Sequence, residues 1–218
     1  MRKVLVNMGK AHNLLYDFIH KQPMNTSVGI SLNTCWFEGK TFVGKIIATV
    51  SASMFHGYTE SFFRTCDYWG MSYYAYFPYI PERIDEINHP GKLAELGYQH
   101  DKMWGYRSEG MYKNIMRLHR KYDKPILITE SGVCTADDNV RIQAINDYSF
   151  QCHKAIESGV KMMGYIFWST LDNFEWNLGP TYRFGLVEVD MKTKDRKMTR
   201  AGEYYEKITK ANSIEIHD

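Results

Sequence analysis

The sequence lacks the motifs that would assign it to a metal, nucleotide or serine-hydrolase class. Its four cysteines form neither a CxxC pair nor a zinc-like spacing, and its eight histidines form no HExxH pair. Glycine-rich loops of the GxGxxG type and a GxSxG nucleophile elbow are also missing. We therefore expect no metal and no cofactor.

Charge and hydropathy exclude further classes. The formal charge of +2 comes from lysines and arginines spread along the chain, which leaves no basic stripe for nucleic acid. The chain has no apolar run long enough to span a membrane. Gly39-Lys40-Thr41 resembles the end of a phosphate-binding loop, but Thr34 stands where that loop needs its first glycine. Cysteines without a disulfide pattern are typical of a cytoplasmic protein, and that location is expected.

Aromatic residues are abundant, at 15% of the chain, with 16 tyrosines, 11 phenylalanines and 5 tryptophans. Core packing accounts for most of them, but several lie beside polar residues at the ends of predicted strands. Aromatic side chains combine a large apolar face with a polar edge. Such a surplus in loops suits a site that stacks on the flat apolar faces of sugar rings.

The apolar pattern predicts alternating strands and helices in a single domain over residues 1–218. Helical spacing covers residues 2–20 and recurs over 41–63, 108–122, 138–158 and 201–211. Short apolar runs, at 28–32, 68–71, 126–128 and 163–168, predict four strands between the helices. This alternation indicates an α/β fold with a parallel sheet.

Four strands fit either a small open doubly wound sheet or half of a barrel, because a closed (β/α)8 barrel needs eight strands. Each predicted strand ends in polar or aromatic residues, at Asn33, 72–74, Glu130 and 168–169. An open sheet gathers its ligand at one switch point. Four such ends on one rim instead favour a barrel mouth.

Two stretches contain residues suited to chemistry. Residues 125–128 are apolar and are followed by Glu130, a carboxylate at the tip of a buried strand, where active sites of α/β proteins lie. A salt-bridged or capping glutamate is the structural alternative. Residues 168–176 place two tryptophans, two carboxylates and an amide within nine positions, which suits either a sugar site or a capped aromatic loop.

Together these motifs resemble glycoside hydrolase family 1, the retaining β-glucosidase-like enzymes. Residues 128–132 resemble the nucleophile signature ITENG, and residues 67–74 resemble the sixth-strand sequence DFIGLNYY. Residues 168–176, continuing to 183–185, resemble the eighth-strand signature, while Trp104 with Glu109 and Gly110 resembles GWxxYPEG. Residues 29–33 resemble the fifth strand. The resemblance implies the C-terminal half, strands 5–8, of a TIM (β/α)8 barrel.

The resemblance also implies a role for each matching residue. Glu130 matches the nucleophile that forms the covalent glycosyl-enzyme intermediate, and Tyr74 matches the tyrosine whose hydroxyl bonds that carboxylate. The remaining matches, implied to bind substrate, are Trp168, Glu175, Trp176, Phe184 and Trp104. Two departures, Ser131 and Ser72 in place of asparagines, affect positioning and remove no reacting group.

The implied substrate is a β-glycoside or oligosaccharide, unphosphorylated because residues 177–182 contain no lysine. The family's acid/base lies in a TxNEP segment, which this sequence does not contain. Little hydrolysis by the isolated chain is therefore expected, and a complementary half-barrel or self-association is the expected partner. Two alternatives remain: a non-catalytic carbohydrate-binding or barrel-assembly half, and an open α/β binder of small molecules.

Overall fold

A computed structural model of the chain describes residues 2–63, 65–79 and 90–214. The helices are α1 Arg2–His20, α2 Phe42–Ala52, α3 Tyr58–Glu60, α4 Pro90–Glu95, α5 Glu109–Tyr122, α6 Asp138–Glu157 and α7 Arg200–Ala211. The strands are β1 Gly29–Gly39, β2 Tyr68–Tyr79, β3 Ile126–Ser131, β4 Met162–Tyr165, β5 Val187–Val189 and β6 Arg196–Met198. The long helices and the first four strands lie where the apolar pattern predicts them.

The first four strands form one parallel sheet in the order β1-β2-β3-β4. Each strand is therefore bonded to the next along the chain, and among the described strands the order does not reverse as it does in a doubly wound sheet. This succession of strands with outer helices is that of half a (β/α)8 barrel. The predicted fold class is confirmed, and the open-sheet alternative is wrong.

Three predicted strand ends are wrong. β4 ends at Tyr165 and not at 168, because its pairing with β3 stops where Ile128 lies opposite Tyr165. β1 and β2 continue past Asn33 and the tyrosines at 73 and 74, pairing from Cys35 opposite Ala75 to Gly39 opposite Tyr79. Their aromatic side chains support the extension, since the rings of Phe37 and Phe77 stack with centroids 5.4 Å apart. Sequence reasoning also missed α4 and the β5–β6 hairpin, whose strands have only three residues each.

Side-chain caps fix where the main helices begin. The Asp137 carboxylate accepts a hydrogen bond from the Asn139 N–H at 2.8 Å, which caps α6. Thr41 and Thr199 cap α2 and α7 in the same way. The core lies between the sheet and its outer helices, and includes the fully buried residues Met71, Tyr73, Met111, Ile115, Ile126, Ile128 and Tyr148. These contacts hold α5 and α6 against the strands that form the candidate site.

His56, in the π-helical turn that follows α2, is 4% exposed. Its Nε2 accepts a hydrogen bond from the Cys35 N–H at 3.3 Å. Burial, followed by the positive charge of Arg117, lowers the pKa of His56 to about 4, although the negative charge of Glu60 opposes the shift. The folded protein thus holds a neutral imidazole where the unfolded chain would hold one with a pKa of about 6.5.

We expect stability to depend on pH through His56. Because its folded pKa is lowered, the stabilisation is present above about pH 6.5 and is lost as pH falls toward 4, by about 3 kcal/mol in total. Urea unfolding between pH 7.5 and 4.5 measures this loss. His56→Gln, which can still accept the Cys35 hydrogen bond, should flatten the slope, whereas His153→Gln, at a partly exposed histidine on α6, should not. An unchanged slope in His56→Gln would contradict the assignment.

Candidate active site

The site begins where β3 ends. Met71 on β2 lies opposite Ile128 on β3, but Ser72 lies opposite Glu130, so Thr129 is an extra residue in the ladder. Side chains alternate across a strand, and one extra residue therefore turns the next side chain to the other face. Ile128 packs in the core with Met71. The irregularity turns Glu130 away from that core to the face of Ser72.

Tyr74 on β2 binds the Glu130 carboxylate. The Tyr74 hydroxyl donates a hydrogen bond of 3.1 Å to Glu130 Oε2. Burial, followed by the negative charge of Glu130 and this hydrogen bond, raises the pKa of Tyr74 far above its ordinary value. The hydroxyl therefore remains a donor at neutral pH. Among the described residues no cation forms an ion pair with Glu130, so the salt-bridged alternative is not observed.

Three aromatic rings surround this hydrogen bond. The ring centroids of Tyr74 and Trp104 are 5.3 Å apart, those of Tyr74 and Phe184 are 6.5 Å apart, and those of Trp104 and Phe184 are 6.3 Å apart. Phe184 is 1% exposed, whereas Tyr74 and Trp104 are partly exposed. The structure thus brings four of the predicted site residues together, from segments that are far apart in the chain.

Trp168 is fixed beside the end of β3 by backbone contacts. Its N–H donates a hydrogen bond of 2.8 Å to the Ser131 carbonyl, which continues the β3–β4 ladder past Tyr165. The peptide bond between Trp168 and Ser169 is cis. A Cβ atom at Gly132 would lie 2.0 Å from the Trp168 carbonyl oxygen. Only glycine therefore allows this close approach of the two backbones after Glu130.

Glu175 and Trp176 lie on the loop that follows Trp168. The Glu175 N–H donates a hydrogen bond of 2.9 Å to the Gly179 carbonyl, which closes a short 3-10 turn over Trp176–Leu178. Glu175 is half-buried and adds to the negative potential that raises the pKa of Tyr74. Trp176 is 85% exposed. The structure brings Glu175 toward the site but does not bring the Trp176 ring against the other aromatic rings.

Asp172 is a supporting residue that sequence reasoning did not single out. Its carboxylate accepts hydrogen bonds from the Gly185 N–H at 2.9 Å and from Arg183 at 2.5 Å. These contacts hold the backbone on both sides of Phe184. The sequence did hold a signal for this contact: the stretch 168–176 contains an acid and its continuation, 183–185, contains an arginine, and the two charges are opposite.

Two negative findings concern only the part of the chain that the structure describes. It contains no group of three or more His, Cys, Asp or Glu residues placed to hold a metal ion. None of its helices combines the length and apolar character that a bilayer span requires. The four cysteines are buried and unpaired.

The sequence and fold match known glycosidases, and the sequence also matches a galactosyltransferase. The model of glycosyl hydrolase family 1 matches residues 49–214. β-Glucosidase A of Thermotoga maritima is 31% identical over 164 residues, which are 68% of this chain and 35% of that protein. The galactolipid galactosyltransferase SFR2 of Arabidopsis thaliana is 28% identical over 223 residues, covering 97% of this chain and 34% of that protein.

A solved β-glycosidase structure from Pyrococcus horikoshii superposes with a TM-score of 0.80 and 26% identity. The match covers 98% of this chain and 54% of that one. The chain therefore spans about a third to a half of the length of the relatives it matches, as half of a barrel would. Because the family model covers most of its residues, the chain belongs to glycosyl hydrolase family 1.

Proposed function

We propose that this chain is the nucleophile-bearing half of a retaining β-glycosidase. One observation supports the proposal above all others. Glu130 is turned out of the core at a strand end, and its carboxylate accepts a hydrogen bond from Tyr74 beside the rings of Trp104 and Phe184. A carboxylate that is oriented by a hydrogen bond next to aromatic surfaces suits attack on a bound sugar.

In the proposed reaction a Glu130 oxygen attacks the anomeric carbon, and the bond to the leaving oxygen breaks as an acid protonates that oxygen. Water, activated by the same group as a base, then cleaves the glycosyl ester and regenerates Glu130. Tyr74 orients the nucleophile throughout. Trp168 and Phe184 form walls of the sugar site, Glu175 and Trp176 bind sugar hydroxyls, and Trp104 faces the leaving group.

The proposed mechanism needs a second carboxyl group about 5–5.5 Å from the first. No TxNEP segment is present, and Glu38, an acid on β1, already accepts a hydrogen bond of 2.5 Å from Tyr76. We therefore assign the acid/base to a complementary half-barrel. The isolated chain should turn over aryl β-glycosides far more slowly than the usual enzyme range of about 1–1000 per second.

The arc formed by the four parallel strands has exposed apolar surface at both ends. On α1 the residues Val4, Met8, Leu15 and Phe18 lie on one face and are each 50–62% exposed. At the other end Met163 and Ile166 are each 51% exposed. Each outer strand of the described sheet pairs on one side only, and such edges and patches favour association. We propose the complementary half-barrel as the occupant.

Co-expression with the first half of a full-length family relative tests this assembly. We expect a 1:1 complex with increased aryl-glycosidase turnover. Leu15→Glu, which places a charge on the apolar face of α1, should reduce both complex formation and turnover. Val50→Glu, at a residue of α2 that is 51% exposed and lies outside the two apolar surfaces and the candidate site, is the matched control. Full turnover by the purified chain alone would overturn the assignment of the acid/base to a partner.

A mechanism-based probe tests the nucleophile itself. An activated 2-deoxy-2-fluoro-β-glycoside has a good leaving group and needs little acid assistance, so it should slowly form a stable adduct with the chain. Mass mapping should locate the adduct at Glu130. An adduct elsewhere would overturn the proposal. Saturable sugar binding without any adduct would instead identify a non-catalytic carbohydrate-binding half.

Tyr74→Phe should slow this labelling about 10- to 100-fold, because a hydrogen bond to a charged group contributes about 1.5–3 kcal/mol. The measurement is the labelling rate, with folding checked by circular dichroism. Tyr98→Phe, a hydroxyl deletion outside the site, should label like the wild type. If Tyr74→Phe also labels like the wild type, the hydrogen bond to Glu130 has no role in orienting the nucleophile.

A further inference from the structure

Asp101 joins two segments that border the candidate site. One carboxylate oxygen, Oδ1, accepts hydrogen bonds from the N–H groups of Met103 at 2.6 Å and Trp104 at 2.7 Å. The other, Oδ2, accepts one from the Cys134 N–H at 2.8 Å. The first segment carries the Trp104 ring, and the second follows Glu130 at the end of β3. A single side chain therefore bonds the backbones on both sides.

The two hydrogen bonds that Asp101 accepts from Met103 and Trp104 are of the kind that an aspartate makes in an ordinary turn. The Asp101 N–H also donates to the Trp104 carbonyl at 2.9 Å, which closes that turn locally. The bond to Cys134 spans 33 residues and has no such local purpose. It is supported by a bond of 3.3 Å from the Lys102 N–H to the Cys134 carbonyl. Asp101 therefore connects the turn to the β3 end as well as shaping it.

This connection bears on the aromatic rings. The Trp104 ring contacts both Tyr74 and Phe184, and Tyr74 bonds Glu130. A shift of the 101–104 turn would therefore move one wall of the site relative to the nucleophile. Hydrogen bonds to a charged acceptor are stronger than neutral ones, and three of them fix the turn in both position and orientation.

We propose that Asp101 is a positioning residue that fixes Trp104 against the end of β3, and that it thereby sets the preference for aromatic leaving groups. The second part rests on the proposed glycosidase function. Asp101 contacts no reacting atom in this assignment. It acts through Trp104, whose ring offers a flat surface to an aryl group as it departs from the sugar.

Amide hydrogen exchange tests the connection without requiring any activity. Asp101→Ala should speed exchange at Met103, Trp104 and Cys134 by about tenfold or more. Asp147→Ala is the matched control, because Asp147 is a nearby acid that bonds Tyr106 and Gln143 and, among the described residues, forms no hydrogen bond with Trp104 or Cys134. Faster exchange at 103 and 104 but not at Cys134 would reduce Asp101 to a local turn residue and overturn the proposal.

Two fluoro-sugar probes test the effect on leaving groups. One carries a dinitrophenyl leaving group and the other a fluoride, which has no surface for Trp104 to contact. The ratio of their labelling efficiencies, aryl over fluoride, should fall about tenfold in Asp101→Asn and in Trp104→Ala, and stay constant in Asp147→Asn. In the double variant that combines Asp101→Asn with Trp104→Ala, this ratio should fall no further than in either single variant, because both changes remove the same contact.

The outcomes separate the two proposals. A ratio that falls in Trp104→Ala but is unchanged in Asp101→Asn overturns the role of Asp101 in leaving-group preference. A chain that neither probe labels overturns the proposed function, and the exchange experiment still decides whether Asp101 connects the two segments.

Discussion

Glu130→Gln is expected to abolish labelling by the activated fluoro-sugar, lowering its rate by about 10³-fold or more. An amide oxygen is a poor nucleophile toward the anomeric carbon, whereas the side chain keeps its shape and can still accept the Tyr74 hydrogen bond. The loss would therefore report chemistry and not a change of fold. Mass spectrometry of the intact chain over time gives the rate directly.

Glu188→Gln is the matched control for that experiment. Glu188 is 57% exposed and lies 3.8 Å from Arg183 as a surface ion pair, and it has no proposed role in the reaction. It should label at the wild-type rate. If the two variants lose labelling equally, or if Glu130→Gln retains it, Glu130 is not the nucleophile.

Glu60→Gln is expected to destabilise the chain by about 3–5 kcal/mol, as removal of one member of a buried ion cluster does. The Glu60 side chain has no exposed surface and accepts bonds from Arg117 at 2.5 Å, Lys121 at 2.8 Å and Tyr122 at 2.9 Å. Burial works against its charge, yet these donors hold the pKa of Glu60 below its ordinary value. An amide would leave Arg117 without its counter-charge.

Urea unfolding at pH 7 measures this loss, and an exposed ion pair serves as the comparison. Glu206 and Lys210 lie 2.6 Å apart on the surface of α7. Glu206→Gln should change the midpoint little, because water and salt screen exposed pairs. Equal midpoints for the two variants would show that the Glu60 cluster contributes no more than a surface pair.

The sequence predicted the helices well because their signals are local. The apolar periods of residues 2–20 and 138–158 depend on neighbours within a few positions, and both match helices of the structure. The strand ends of β1 and β2 were less predictable. Their extension to Gly39 and Tyr79 depends on cross-strand contacts between Phe37 and Phe77, which are 40 positions apart in the chain and invisible to a local pattern.

The sequence by itself placed an acid at the end of a buried strand and predicted four strands that alternate with helices, which the family resemblance assigned to half a barrel. It could not determine which way the acid faces. Strict alternation after Ile126 and Ile128 would turn Glu130 into the core, and only the extra residue in the β2–β3 ladder turns it outward. Register depends on both strands at once, so the contact of Tyr74 with Glu130, which the resemblance implied, is made only by the pairing of β2 with β3. The exposure of Trp176 depends on the fold of its loop, which no pattern in the sequence predicted.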